Sequence, residues 1–292
     1  MPVTETQITR NAYAKINLAL QVLGKRDDGF HEVSMVMQSV SLHDTLVLSL
    51  ANTEISLVCD QPSLPCDRSN LAYRAAELLR QECGVSLGVH ICLTKRIPMA
   101  AGLAGGSSDA AAVLRGLNSL WGLALSSCDL EILAARLGSD VPFCLWGGTA
   151  LATGRGEILE ALPAFAGHGV VLANPPLQVS TAWVYGNFQK KNQLRSTDSK
   201  TLRRAIEQKD FLAVARQLFN DLESVTVPAY PEIAVIKEIF AEAGAAGVLM
   251  SGSGPTVFAL TPDLSSARQL AGRVSFGSGV SVFSAQTVAR EE

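Results

Sequence analysis

The sequence predicts an α+β fold organised as two lobes. Strand-like and helix-like runs follow one another irregularly, with neither a repeat nor a low-complexity segment. Around Leu162 the composition shifts toward Pro and Gly, a boundary signal that divides the chain into residues 1–162 and 163–292. A length of 292 residues is long for one core and fits two domains of ordinary size. Hydrophobic residues make up 48% and charged residues 17%, which suits a soluble protein with a substantial core. With aromatic residues at 6%, that core is built mainly from Ala, Val, Leu and Ile.

The elements can be justified in order. A β-like run starts at Ile8 and continues through Ile16–Leu23, where Ile16, Leu18, Leu20 and Val22 alternate as one buried face. Lys15 and Asn17 then share the opposite face. A lysine there ordinarily sits on a solvated edge, so one inside an apolar run hints at function. Gly24–Gly29 is a polar turn that leaves Phe30 and His31 at a loop tip, either as a hydrophobic plug or as a platform for a flat ligand. Val33–Val40 and Asp44–Leu50 read as two further strands. Asn70–Cys83 reads as an amphipathic helix capped by Ser69 or Asn70. A strand over Leu87–Thr94 precedes a glycine-rich loop and a helix from Ser108 to about Gly122. Another helix runs from Ser126 or Ser127 to Gly138.

In the second half, strands are expected near Ile158, at Val170–Ala173, Val248–Met250, Thr256–Leu260 and Val280–Ala285. Helices are expected at Thr181–Phe188, Lys200–Glu207, Pro231–Ala243 and Leu264–Arg273, the third with Pro in its first turn.

The stretch Pro98-Met99-Ala100-Ala101-Gly102-Leu103-Ala104-Gly105-Gly106-Ser107-Ser108 is the part around which the rest is organised. It joins a strand to a helix N-terminus, where the first N–H groups lack internal partners and the macrodipole is positive. Gly102, Gly105 and Gly106 let the backbone bend and approach an anion, while Ser107 and Ser108 can donate or cap. No Gly-Lys-Ser/Thr closes the loop and the G-x-G-x-x-G spacing is missing. On these residues alone the loop serves equally as a phosphate cradle or a tight connection. Asp140, between a helix and Pro142, is by the same standard an N-cap or a catalytic carboxylate.

Composition excludes several classes. A net charge of −3, with scattered basic pairs at Lys25-Arg26, Lys190-Lys191 and Arg203-Arg204, provides no footprint for nucleic acid. The uncharged stretches Ala161–Gln189 and Ala243–Pro262 are broken by Pro, Gly and polar residues, so neither spans a membrane. Met1–Thr9 has no basic region followed by an apolar run, and a cytoplasmic protein is expected. The six cysteines form no C-x-x-C and the four histidines no H-x-x-x-H pair, so reduced thiols and no protein metal site are expected.

Four stretches taken together resemble the GHMP small-molecule kinases: Ala12–Leu20, Pro98–Ala112, Leu137-Gly-Ser-Asp-Val-Pro142, and Gly247–Phe258 with its Ser-Gly-Ser-Gly-Pro. They span nearly the whole chain in order. The resemblance implies a two-lobe GHMP-kinase-like fold, with an N-terminal α+β ATP-binding lobe and a C-terminal ferredoxin-like α/β-sandwich lobe. It implies ATP with Mg²⁺, a small-molecule alcohol acceptor, neither nucleic acid nor membrane as partner, and a monomer or weak homodimer. Asp28-Gly-Phe-His31, Ala104–Asp109 and Gly147-Gly-Thr-Ala150 resemble those members whose acceptor is a tertiary alcohol carrying cytidine diphosphate.

Position by position, Asp140 matches the family's general base and Lys15 its catalytic lysine, with the loop Pro98–Ser108 on the ATP phosphates. Asn17, Phe30, His31, Thr181 and Tyr185 match substrate contacts, with Phe30 and Tyr185 sandwiching the cytosine. Ala100, Ala101 and Ala104 stand where the family often has glycine, and Phe30 where many relatives have tyrosine. Alanine leaves only positions needing positive φ in question. The alternatives are a member with another acceptor, such as homoserine, and a non-catalytic metabolite sensor of the same fold. A sensor would be expected to have lost Lys15 or Asp140.

Overall fold

A computed structural model describes residues 6–189 and 199–290 of the chain; Lys190, Lys191 and the first five residues of the N-terminal segment lie outside the described residues. The chain divides into two compact, interleaved units. One holds the chain up to Ala14, His43–Met99 and Ala104–Trp146; the other holds Lys15–Leu42, Ala100–Leu103 and the chain from Gly147 onward.

The first unit is a sheet covered by helices. β2 (His31–Ala51) pairs through its second half with β4 (Gly88–Thr94) in antiparallel register, Leu48 opposite Ile91, and β4 pairs in parallel with β3 (Ile55–Cys59). Four helices cover it: α1 (Leu71–Glu82), α2 (Gly105–Leu120), α3 (Ser127–Leu137) and α4 (Val141–Trp146). Leu46, Leu48, Val89 and Ile91 meet Ala75, Leu79, Val113 and Leu117 in one buried cluster. Small residues on α1 and α2 allow close approach. Gly116 is the limiting case, since a Cβ there would lie 2.3 Å from Leu48 Cδ1.

The second unit contains two sheet regions. β1 (Gln7–Lys25) pairs in parallel with β8 (Phe219–Asn220), and the first half of β2 pairs with β5 (Thr149–Thr153), which pairs in turn with β6 (Ile158–Ala161). Separately, β7 (Gly169–Asn174), β9 (Gly247–Met250), β10 (Val257–Thr261) and β11 (Ser281–Gln286) form a four-stranded antiparallel sheet in the order β11-β7-β10-β9. Numbered within that sheet the order is 4-1-3-2, the ferredoxin-like arrangement, with helices α9 (Glu232–Glu242) and α10 (Leu264–Arg273) packed on it.

Most expected elements are present, α10 and the Asn70-capped α1 among them. Three expectations need correction, and some short elements carry no sequence signal. Val33–Val40 and Asp44–Leu50 are parts of one 21-residue strand, within which the buried Asp44 carboxylate bonds the chain after β4. Both faces of β1 are buried across Ala14–Leu20, so Lys15 is no edge residue. Helix α2 starts at Gly105 rather than Ser108. The short β3, β8, α7 (Phe211–Arg216) and α8 (Glu223–Ala229) lack strong periodicity, and Pro228 within α8 imitates a breaker.

Gly116→Ala tests the helix–sheet packing. Alanine is the better helix former by about 1 kcal/mol, yet the contact with Leu48 should make the variant less stable by about 1–3 kcal/mol. Urea unfolding that shows an unchanged or raised midpoint would contradict this packing.

Candidate active site

The glycine-rich loop is anchored from below by a buried ionic cluster. Where β4 ends, Asp44 Oδ1 accepts the backbone N–H groups of Arg96 and Ile97 at 2.5 and 2.8 Å. Lys95 Nζ donates to the other Asp44 oxygen and to Asp109 Oδ2, the latter at 2.8 Å. Asp109 lies one turn into α2, so the cluster ties strand end to helix start on either side of the loop. Burial works against the Lys95 charge, but the two carboxylates outweigh it and the ammonium is held above its ordinary range. The Asp109 carboxyl is pushed up to about 7 by burial and the neighbouring Asp44 charge, against the pull of Lys95. Its second oxygen, Oδ1, is buried with no hydrogen-bond partner.

The loop backbone is strained. Ala100 and Ala104 adopt φ of 51° and 59°, the left-handed region that alanine ordinarily avoids, so two of the three alanines standing in for glycine occupy positions glycine would suit. Ala104 is also the α2 N-cap and makes no side-chain capping bond. Neither serine caps as expected from the sequence. Ser108 turns inward to donate to the Tyr13 carbonyl at 2.6 Å. The first N–H groups of a 16-residue helix are thus left without a side-chain cap, a physical basis for holding an anion.

Packing within the protein constrains two of the three loop glycines. A Cβ on Gly105 would press on Ile97 Cγ2 and Lys95 Nζ at 3.1 and 3.3 Å, and one on Gly102 would strike the Ser251 carbonyl at 2.2 Å. Gly102 therefore leaves no room for a side chain and Gly105 little, whereas a Cβ on Gly106 would make only ordinary contact with Leu71 at 3.7 Å.

In the second unit, Lys15 is 4% exposed. Its Nζ donates to Asn17 Oδ1 at 2.9 Å and to the Gly102 carbonyl at 3.2 Å, and its backbone N–H donates to Leu103 O at 3.1 Å. The pairing of Lys15 with Asn17 follows from their i, i+2 placement on one face of β1. Gly102 O also accepts Ser251 Oγ at 3.0 Å, joining the Ser251-Gly-Ser-Gly-Pro loop to the same point. Thr181, at the start of α5 (Thr181–Asn187), pairs its hydroxyl with Ser253 Oγ at 2.9 Å.

His31 and Tyr185 come together with ring centroids 5.2 Å apart, tilted by 35°. Partial burial, with the nearby Lys25 charge, lowers the His31 pKa, so its imidazole is neutral at pH 7. Phe30 is half-exposed, with the Arg155 guanidinium 4.9 Å above its ring. Asp140 precedes α4 in the first unit and its carbonyl accepts the Cys144 N–H. Met99 is exposed, while Ala101 and Leu103 are buried. Among the described residues, no group of three or more His, Cys, Asp or Glu is placed to hold a metal ion.

Sequence reasoning passed over Asp44, Lys95, Asp109 and the buried polar run Asn220-Asp-Leu-Glu223. The available signal was three polar residues within four, in a stretch without helical or strand periodicity.

Residues 70–148 match the model of the GHMP kinases N-terminal domain and residues 202–277 that of the GHMP kinases C-terminal domain. The chain belongs to the GHMP kinases, a family of ATP-dependent phosphotransferases. It is 55% identical over 267 residues to the 4-diphosphocytidyl-2-C-methyl-D-erythritol kinase of Pelotomaculum thermopropionicum, covering 91% of this chain and 93% of that one. To the kinase of the same name from a Synechococcus species it is 52% identical, over 88% and 86% of the two chains. A crystal structure of 4-(cytidine 5'-diphospho)-2C-methyl-D-erythritol kinase superposes with a TM-score of 0.81 at 34% identity, covering 96% of this chain and 99% of that one. A homoserine kinase from Cytophaga hutchinsonii, at 20% identity and a TM-score of 0.78, shares the fold.

Two outcomes follow from the loop and its anchor. Ala104→Gly removes left-handed strain of about 1–2 kcal/mol and concedes about 0.4–1 kcal/mol of unfolded-state entropy, so the variant should unfold at slightly higher urea. Asp109 is read through pH. Between the ordinary carboxylate value of 3.8 and about 7, the unfolded chain has released a proton that the folded chain keeps. This group's contribution to stability therefore falls as pH rises through that window. The stability of Asp109→Asn relative to the parent should climb from pH 4.5 to 7.5, and a flat difference would refute the assignment.

Proposed function

We propose that the protein transfers the γ-phosphoryl group of ATP to the 2-hydroxyl of 4-diphosphocytidyl-2-C-methyl-D-erythritol, giving the 2-phosphate and ADP, in the non-mevalonate route to isoprenoids. The observation that carries this reading is the 52–55% identity, over about nine-tenths of the chain, with relatives bearing that name. The ring pair of His31 and Tyr185 supports the cytidine part.

Phosphoryl transfer is mainly positioning and charge stabilisation. A tertiary alcohol is a crowded, weak nucleophile. As its oxygen forms a bond to the γ-phosphorus and the bond to the β–γ bridging oxygen breaks, the hydroxyl proton passes to the Asp140 carboxylate. Lys15 stabilises charge on the reacting oxygens, and Asn17 orients its ammonium as well as the acceptor. The uncapped N–H groups at the start of α2, with the loop Pro98–Ser108, hold the ATP phosphates.

The neutral His31 ring offers one donor and one acceptor nitrogen, the complement of the cytosine edge, while Phe30 and Tyr185 supply stacking surface and Thr181 a hydroxyl. Mg²⁺ belongs with the nucleotide in this reading, its ligands coming chiefly from phosphate oxygens and water. The functional division is a GHMP N-terminal domain over 1–162 and a C-terminal domain over 163–292. The protein acts in the cytoplasm as a monomer or weak homodimer; no helix among the described residues is long and apolar enough to cross a membrane.

The test is a coupled ADP-release assay with 4-diphosphocytidyl-2-C-methyl-D-erythritol, homoserine and mevalonate in parallel. Turnover confined to the cytidine compound is expected, and turnover with another acceptor alone would overturn the substrate. Asp140→Ala should lower kcat by roughly 10²–10⁴-fold with ATP affinity kept. Undiminished turnover would remove Asp140 from the chemistry.

A further inference from the structure

One short segment holds two parts of the Lys15 environment at once. On one side, β8 lies in parallel register with β1, Phe219 opposite Ala19 and Asn220 opposite Leu20. Asp221 continues that edge: its N–H donates to Leu20 O, and its Oδ2 accepts the Val22 N–H, both at 2.9 Å. Lys15 and Asn17 lie on the same strand.

On the other side, three buried side chains grip the loop after β9. Asn220 Nδ2 donates to Met250 O and Gly252 O at 2.9 and 2.7 Å, while its Oδ1 accepts Leu222 N at 2.9 Å. Glu223 Oε1 accepts the Met250 N–H at 2.9 Å, and both its oxygens are held by Lys237 at 2.6 Å. Thr226 Oγ1 donates to Ser253 O at 3.2 Å. The gripped loop meets Lys15: Ser251 shares the Gly102 carbonyl with it, and a Cβ on Gly252 would stand 3.5 Å from Lys15 Nζ.

We propose that Asn220 is a positioning residue for phosphoryl transfer, whose carboxamide sets the loop at Met250–Gly252 against β1 and so fixes where the Lys15 ammonium stands. No other side chain of similar size fits the requirement. Two carbonyls need two donors from one nitrogen while the Leu222 N–H needs an acceptor, and a carboxylate would face both carbonyls with lone pairs. Thr226 assists from the next turn. The inference rests on the reading of Lys15 as the charge-stabilising lysine, because a displacement of about 1 Å in such a group lowers turnover by roughly 10²-fold.

The experiment compares the parent with Asn220→Ala, Thr226→Val and Thr226→Ser, each checked for folding. Two quantities are read: the acetylation rate of Lys15 by acetic anhydride, followed by mass spectrometry, and kcat and KM for both substrates. Asn220→Ala should raise Lys15 acetylation at least about fivefold and lower kcat by roughly 10–100-fold, with both KM values within about threefold. Thr226→Val should shift both quantities in the same directions by smaller factors, and Thr226→Ser should restore them. Should Asn220→Ala fail to fold, the Thr226 pair decides. Folded variants with a lowered melting temperature but parental Lys15 reactivity and kcat would overturn the proposal. If the parent turns over no cytidine substrate, the functional reading fails, and the acetylation rates alone still decide whether Asn220 positions Lys15.

Discussion

A lysine ammonium buried within an apolar strand is the constraint on which the second unit depends. Moving such a charge out of water is costly unless oxygen acceptors meet it. Lys15 is met by Asn17 from its own strand and by Gly102 O from the loop. The same carbonyl accepts Ser251 Oγ, and Gly102 lies so close to the Ser251–Gly254 segment that no room is left for a Cβ. The position of one nitrogen thus accounts for the polar residue two places along β1, for a glycine far away in sequence, and for the serine that shares its carbonyl.

The first unit solves a related problem by other means. Lys95 is buried between Asp44 and Asp109, and its interactions with the two carboxyl groups outweigh burial in holding its proton. Replacing such a cluster by apolar groups is often neutral for stability, so its value here lies in geometry. Asp44 bonds three successive residues, Lys95, Arg96 and Ile97, and Asp109 brings the helix start to the same ammonium. The loop between is held at both ends, which lets it keep alanines in left-handed conformations.

Local patterning made the periodic parts of this fold legible. Asn70 and Ser126 mark helix starts because their side chains bond the first turn, and the alternation of β1 follows from its pairing. Legibility fails where a residue serves a distant partner. Asp44 reads as the first residue of a strand, and the partners of its carboxylate lie beyond β4. Asn220 carries no periodic signal, because its role is set by carbonyls about thirty positions further on. The candidate site was legible as a set of residue types. Which serine faces inward and where the glycine Cβ positions point depend on packing that a linear pattern does not encode.

Local rules are broken at several places, among them left-handed Ala124 and Lys209 and the buried, unpartnered Trp121 Nε1. One set bears on the loop 98–108: left-handed Ala100 and Ala104, the α2 start without a side-chain cap, the unpartnered Asp109 Oδ1 and the buried Lys15. Each is unfavourable taken singly, and a chain selected for stability alone would have Gly at 104, Ser or Asp as the cap and an apolar residue at 15. On the proposed function these features have a use: uncapped N–H groups keep their capacity to bind an anion, and a dehydrated ammonium interacts strongly with a charged phosphoryl group. On that reading, the stability given up at these positions serves the preorganised charge that phosphoryl transfer needs.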